Sequence, residues 1–202
     1  MENFRLIRHT DQELIFEGQF ASLTNCLEQA IRENTDLSHI DLKNKNLSGG
    51  NFDGAYMPGA LLSGTNLTGA NISECCLRGG VFHHASLYNT CLCETDLRAC
   101  DFRDSNFGAT DITGADISFS RFSTLSCFDL AFETTQNMLG CTFESPDGHK
   151  CKMSESPLIL RGIMSSPIIV MDQTVRIGGD IWCRKTARPL QAENAQKDRI
   201  AS

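Results

Sequence analysis

Ten cysteines and five histidines are the residues of this chain with the most chemistry to offer. Cys91-x-Cys93 and, a little upstream, His83-His84 are the candidates for a zinc site. Such a site needs about four ligands that converge on one point. A disulfide framework is the other use of so many cysteines. The start, Met1-Glu2-Asn3-Phe4-Arg5, has neither the basic nor the apolar region of a secretion signal. The expectation is therefore a cytoplasmic protein with reduced cysteines that serve as small hydrophobes. Catalytic vocabulary is missing. There is no phosphate-binding Walker loop, no Gly-x-Ser-x-Gly and no His-Glu-x-x-His. His9, His39, His83, His84 and His149 are scattered, and Asp and Cys follow a spacing that something else dictates.

That spacing is five. From Leu37 to Phe122, every fifth residue is large and apolar: Leu37, Leu42, Leu47, Phe52, Met57, Leu62, Leu67, Ile72, Leu77, Phe82, Leu87, Leu92, Leu97, Phe102, Phe107, Ile112, Ile117 and Phe122. In a chain that is 41% hydrophobic, chance gives 18 such positions in a row at a rate of ~10^-7. The position two before each of these centres is small in 16 of 18 cases, the exceptions being Ile40 and Lys45 at the start. Large and small residues two apart point to one side of an extended chain. A strict period of five fits neither the 3.6 of a helix nor a heptad. The remaining solution is a chain that bends at every pentapeptide and stacks on itself as a solenoid.

Ala70-Asn71-Ile72-Ser73, Ala115-Asp116-Ile117-Ser118 and Thr110-Asp111-Ile112-Thr113 resemble the pentapeptide-repeat family, whose pattern is roughly Ala-(Asp/Asn)-Leu-x-x. The resemblance implies an all-β fold: a right-handed, quadrilateral parallel β-helix with four pentapeptides per turn, about 4.5 coils and ~22 Å long. Residues 20 apart would then lie one above another. The core would be four stacks, among them Leu42-Leu62-Phe82-Phe102-Phe122. Positions 83 and 93 would face opposite ways, so the zinc candidates would not converge. No catalytic residue, cofactor or metal is expected.

The expected organisation is an N-terminal hairpin and capping helix over residues 1–34, the solenoid over 35–125, and a C-terminal cap with a small β element over 126–183. A flexible tail is expected over 184–202. Leu23, Cys26, Leu27, Ala30 and Ile31 have helical spacing behind the capping Ser22. Leu158–Met164, Pro167–Met171 and Thr174–Ile177 read as short strands. Pro167-Ile168-Ile169-Val170 and Val175-Arg176-Ile177-Gly178 resemble C-terminal segments of some phage-encoded members of the family.

Function, on this reading, sits on the outer walls. The residue before each centre is usually Asp or Asn, but two adjacent columns depart from the rule. One runs Asp36, Tyr56, Cys76, Asp96, Asp116, and the other Asp41, Leu61, Val81, Asp101, Arg121. Tyr56, Leu61, Cys76 and Val81, with Asp96, Asp101 and Asp116 above them, form a candidate protein-binding surface. It would serve a non-enzymatic module that modulates or inhibits another protein, a host protein if the chain is phage-encoded, or that joins two copies of this chain. Like-charged corner columns, such as Arg78 under Arg98 and His83 under Arg103, read as solvated surface.

The resemblance also implies an alternative, a DNA mimic that inhibits DNA gyrase. A duplex of ~22 Å presents ~13 negative charges. Residues 36–125 carry 10 acidic against 6 basic residues, which strains that alternative. Residues 1–35 have a net charge of −3 and residues 126–202 have none, so no basic face predicts direct nucleic-acid binding. No apolar run is long enough to predict a membrane span.

Overall fold

A large apolar residue at every fifth position can be buried only if the chain turns after each one. In the computed structural model, which describes residues 1–185 and the backbone of the short strand Arg188–Pro189, it does so. The residue two after each centre has positive φ at 17 consecutive turns, from His39 to Phe119. The amide three after the centre returns to the centre's carbonyl, as in Lys45 N to Leu42 O at 3.2 Å. A left-handed third residue closed by this bond is the type II turn. Glycine fills seven of these 17 positions; the rest include Glu74, His84, Ala99 and Phe119.

Successive coils pair in parallel with a step of 20: Asp41 with Leu61, Asn46 with Asn66, Asn51 with Asn71, Tyr56 with Cys76. All 18 centres are buried, none more than 5% exposed. Phe82 and Phe102 stack with ring centroids 4.7 Å apart, and Phe102 and Phe122 at 5.3 Å. The small position is buried without a break from Gly50 to Ser120, whereas Lys45 is exposed.

Polar residues in the small position are not misplaced. Thr65, Thr90, Thr95, Ser105, Thr110 and Ser120 each donate a hydroxyl hydrogen bond of 2.6–2.8 Å to the carbonyl of the centre 23 residues earlier. Cys75 and Cys100 place their thiols on the same acceptor position, at 3.1 and 3.2 Å. Burial raises both thiols, Cys75 to about 12. These cysteines are hydrophobes with a donor, not nucleophiles.

The open ends are covered. Strands β1 (Glu2–Ile7) and β2 (Leu14–Phe20) form an antiparallel hairpin. It meets the first coil where Asp41 N donates to Ile7 O at 2.9 Å. Helix α1 (Leu23–Arg32) starts at Ser22, whose hydroxyl accepts from Asn25 N, and it buries Cys26, Leu27 and Ala30. Both pieces shield an edge that would otherwise offer free backbone groups and apolar side chains.

At the far end the stack runs past residue 125. Strands β3 (Asp101–Phe102), β4 (Arg121–Phe122) and β5 (Cys141–Glu144) are parallel neighbours, and β6 (Lys150–Met153) closes the edge antiparallel to β5. Thr142 sits over Arg121 and Asn137 over Asp116, a step of 21 rather than 20. The pattern resumes in that shifted phase. Gly140 has φ of 72°, and Cys141 donates to Ile117 O at 2.8 Å.

A second sheet follows: β7 (Leu158–Leu160), β8 (Ile168–Val170), β9 (Thr174–Ile177), β10 (Asp180–Cys183) and β11 (Arg188–Pro189), each antiparallel to the next. Phe143 connects it to the coil: it packs 4.9 Å from Phe128 and carries the Arg176 guanidinium 5.1 Å from its ring centroid. Of the expected tail, residues 184 and 185 form a turn and β11 pairs with β10; the remainder lies outside the described residues. Among the described residues no helix is long and apolar enough to cross a membrane.

Candidate functional site

The outer wall has a rule that the sequence shows only as a preference. At most positions where the residue before a centre is Asp or Asn, its side chain accepts the amide of the residue after the centre; Asn51 and Asn106 hold the same position without that bond, and the Gly108 amide turns to Thr110 instead. The bonds run from Lys43 N to Asp41, Thr68 N to Asn66, Ser73 N to Asn71, Arg98 N to Asp96 and Ser118 N to Asp116, all at 2.9–3.2 Å. The two residues flank one inward side chain and therefore project outward together. Asp and Asn recur because they cap the turn. One coil further on, Asn66 donates to Asn46 at 3.1 Å and Asn71 to Asn51 at 3.0 Å.

Against that rule the candidate surface stands out. Tyr56, Cys76, Asp96 and Asp116 form one ladder of parallel bridges, and Leu61, Val81, Asp101 and Arg121 form the next. Tyr56 is 54% exposed; Leu61, Cys76, Val81, Asp96, Asp101 and Asp116 are half-buried. Leu61 and Val81 have no side chain that can cap Ser63 or His83, and Cys76 has only a weakly accepting sulfur to offer Arg78. Opposite Tyr56 stands Pro58, which has no amide to cap.

The acidic upper part of this surface is not bare charge. Asp101 Oδ2 lies 2.9 Å from His83 Nε2, 2.8 Å from Arg103 Nη2 and 3.4 Å from Arg121 Nη1. Glu144 completes the group, 2.9 Å from Arg121 and 3.5 Å from Arg103. Burial works to raise the Asp101 carboxyl, but hydrogen bonds from Arg103 and His83 outweigh it and hold the group at about 2. Asp96 is paired with Arg98 at 2.6 Å, and Arg98 reaches Asp116 at 4.0 Å. The expectation of merely solvated arginine columns is corrected here. Arg98 and Arg103 fold back onto the carboxylate two residues earlier, because that residue shares their outward face.

The cysteine candidates part company. His83 is held by Asp101, half a coil from Cys93, and His84 faces it edge-on with centroids 6.4 Å apart. Neither joins the cysteines. Cys91 and Cys93 sulfurs lie 3.2 Å apart, and Asp111, one coil above Cys91, brings a carboxylate oxygen to within 4.8 Å of both. Sequence reasoning missed Asp111, although its position 20 residues after Cys91 was the available signal. Burial works to raise both thiols. Hydrogen bonds from Ser73 and Cys93 nevertheless bring Cys91 below its ordinary value, while the Cys91 and Asp111 neighbours add to the rise of Cys93, to about 12.

Residues 30–69, 46–83 and 81–118 match the family model described as pentapeptide repeats, with eight copies. The repeat segment is a pentapeptide-repeat domain. Solved structures similar to it include Rfr23 of the cyanobacterium Cyanothece 51142, 24% identical over 41% of this chain and 57% of that one, with a TM-score of 0.41. A pentapeptide-repeat protein of Nostoc PCC 7120 is 22% identical over 54% of this chain and 87% of its own, with a TM-score of 0.45. QnrB1, a plasmid-mediated fluoroquinolone resistance protein, is 18% identical over 41% and 55%, with a TM-score of 0.28. The chain thus spans little more than half the length of Rfr23 and of QnrB1. No curated protein matches it. The pentapeptide-repeat domain accounts for the coil, its turn rule and its outer ladders; the hairpin, most of the helix and the second sheet lie outside the matched residues.

Proposed function

We propose that this chain is a non-enzymatic interaction module of the cytoplasm that binds and modulates another protein through the wall bearing Tyr56, Leu61, Cys76 and Val81. One observation carries the reading. At Leu61, Cys76 and Val81 the wall gives up the turn cap that Asp or Asn supplies at half of the equivalent positions, a hydrogen bond of about 0.5–1.5 kcal/mol, and groups apolar side chains there instead. Positions that forgo a stabilising bond for half-buried apolar side chains beside the exposed Tyr56 fit a docking face better than a scaffold. The core is filled by side chains, so the coil has no interior pocket for chemistry.

The finer architecture belongs to the same proposal. A step of 20 with four turns per coil is the four-sided form, about 4.5 coils over residues 35–125. A right-handed coil follows from the general hand of parallel β crossovers. The alternative, mimicry of DNA toward gyrase or another DNA-binding protein, is less favoured, because Asp96, Asp101 and Asp116 have arginines beside them.

The test is capture of partners from lysate with the full chain and with Leu61→Asp/Val81→Asp. Both side chains point outward, so the variant keeps the coil's circular dichroism. The expected result is loss of the captured partner and, if two copies pair through this face, loss of the dimer in sedimentation. Unchanged capture by a folded double variant overturns the reading. Supercoiling by gyrase that micromolar protein leaves untouched removes the mimic.

A further inference from the structure

We propose that Cys91, Cys93 and Asp111 form a binding site for one thiophilic divalent cation, Zn2+ in the cell and Cd2+ as its surrogate, on the outer wall of the coil. Their ligand atoms all lie within 4.8 Å of one another. Two features of the fold bring them there. Residues that flank a centre project side by side, which sets Cys91 Sγ and Cys93 Sγ 3.2 Å apart. Residues 20 apart are bridged, which sets Asp111 above Cys91.

The supporting backbone is regular. Cys91 N donates to Ala70 O and Asp111 N to Thr90 O, both at 3.0 Å, so the ligands stand on the ladder itself. The outer contacts orient the donors. Ser73 Oγ lies 3.1 Å from Cys91 Sγ. Thr113 holds Asp111 Oδ1 through its amide at 3.0 Å and its hydroxyl at 2.7 Å. Such contacts fix ligand direction around bound metals.

The donor set chooses the ion. Calcium and magnesium want six or more oxygens and take no thiolate. Two sulfurs with one carboxylate suit a borderline-soft d10 cation that accepts both. Two Zn–S bonds of about 2.3 Å in tetrahedral geometry span about 3.8 Å between sulfurs. The pair must therefore open by about half an ångström, within reach of side-chain rotation at half-buried positions. Binding releases the two thiol protons to solvent. Three protein ligands leave the fourth position to water.

The experiment uses the full chain, kept reduced. Zn2+ is titrated in competition with a chromophoric chelator, and Cd2+ is followed by its ultraviolet thiolate charge-transfer band. The expected result is one ion per chain. Cys91→Ser/Cys93→Ser abolishes the band, and Asp111→Asn weakens binding at least about tenfold. Cys183→Ser, a half-buried cysteine of β10 in the second sheet, leaves it unchanged. Circular dichroism checks that each variant folds; Asp111 is exposed, so its variant carries the test should the double variant fail to fold. No uptake by the wild type, binding by the folded double variant, or undiminished affinity in Asp111→Asn overturns the site.

Discussion

Asp101 and Arg121 occupy the same outward position one coil apart, and Arg121 Nη1 lies 3.4 Å from Asp101 Oδ2. The 20-residue step thus converts a sequence separation that looks remote into a neighbouring pair. Arg103, two residues from Asp101, reaches the same oxygen from the side at 2.8 Å. The coil therefore has two ways to gather side chains, along a face and up a column, and the Asp101 and Cys91 clusters on its outer wall both combine them.

The Asp101 cluster makes stability depend on acid. Its carboxyl is held at about 2, below the ordinary 3.8, so the fold favours the ionised form. That contribution is complete above about pH 4 and is lost as pH falls toward about 2. Asp101→Asn should lower the urea midpoint at neutral pH, and the gap to wild type should narrow over that acid window. A gap that stays constant down to pH ~2 would show that Asp101 contributes through shape and not charge.

Phe102 is the centre of the aromatic column, 4.7 Å from Phe82, 5.3 Å from Phe122 and 5.8 Å from Phe107. Its truncation leaves a cavity that a regular coil cannot collapse around. Phe102→Ala should cost about 3–5 kcal/mol in urea unfolding. Tyr88→Ala, on a wall position 54% exposed, should change stability by no more than about 0.5 kcal/mol. Comparable losses at both positions would mean that the column is not the core.

The period of five carried the coil because every inward residue does the same thing, filling the interior between two turns. The 18 centres from Leu37 to Phe122 are all buried in this way. The coil beyond Phe122 was not legible because one extra residue shifts its phase. Asn137-Met138-Leu139-Gly140-Cys141-Thr142-Phe143 keeps the grammar of outward polar, inward large, glycine turn and inward small, but one position late. β8 and β9 announced themselves through Ile168–Val170 and Val175–Ile177. β10 did not, since Asp180–Cys183 has a single buried residue, Ile181. On the wall, the apolar ladder could be read from columns 20 apart. The arginine pairing of Asp96 and Asp101 could not, because it depends on side chains folding back along their own pentapeptide.

Thr90 tests the interior hydrogen bonds. Its hydroxyl donates to Leu67 O at 2.8 Å, and the same carbonyl accepts Ala70 N at 2.9 Å. Thr90→Val keeps the shape and removes the donor. The carbonyl keeps one partner, so the loss should be about 1 kcal/mol and not the larger cost of a fully orphaned group. A loss above ~3 kcal/mol would show that the two bonds on that carbonyl are not independent.

Gly79 and Ala99 hold the same turn position one coil apart, with φ of 73° and 57°. A Cβ added at Gly79 meets nothing within 4 Å, so only backbone strain opposes it. An L-residue in this region costs roughly 1–2 kcal/mol, partly offset by the smaller chain entropy it loses on folding. Gly79→Ala should therefore lower stability by about 1 kcal/mol, and the reverse change, Ala99→Gly, should raise it by a similar amount. The two substitutions act on one turn geometry in opposite senses, so the pair isolates the backbone from packing. Urea midpoints that move in the same direction would mean that the left-handed turn is not what selects glycine at this corner.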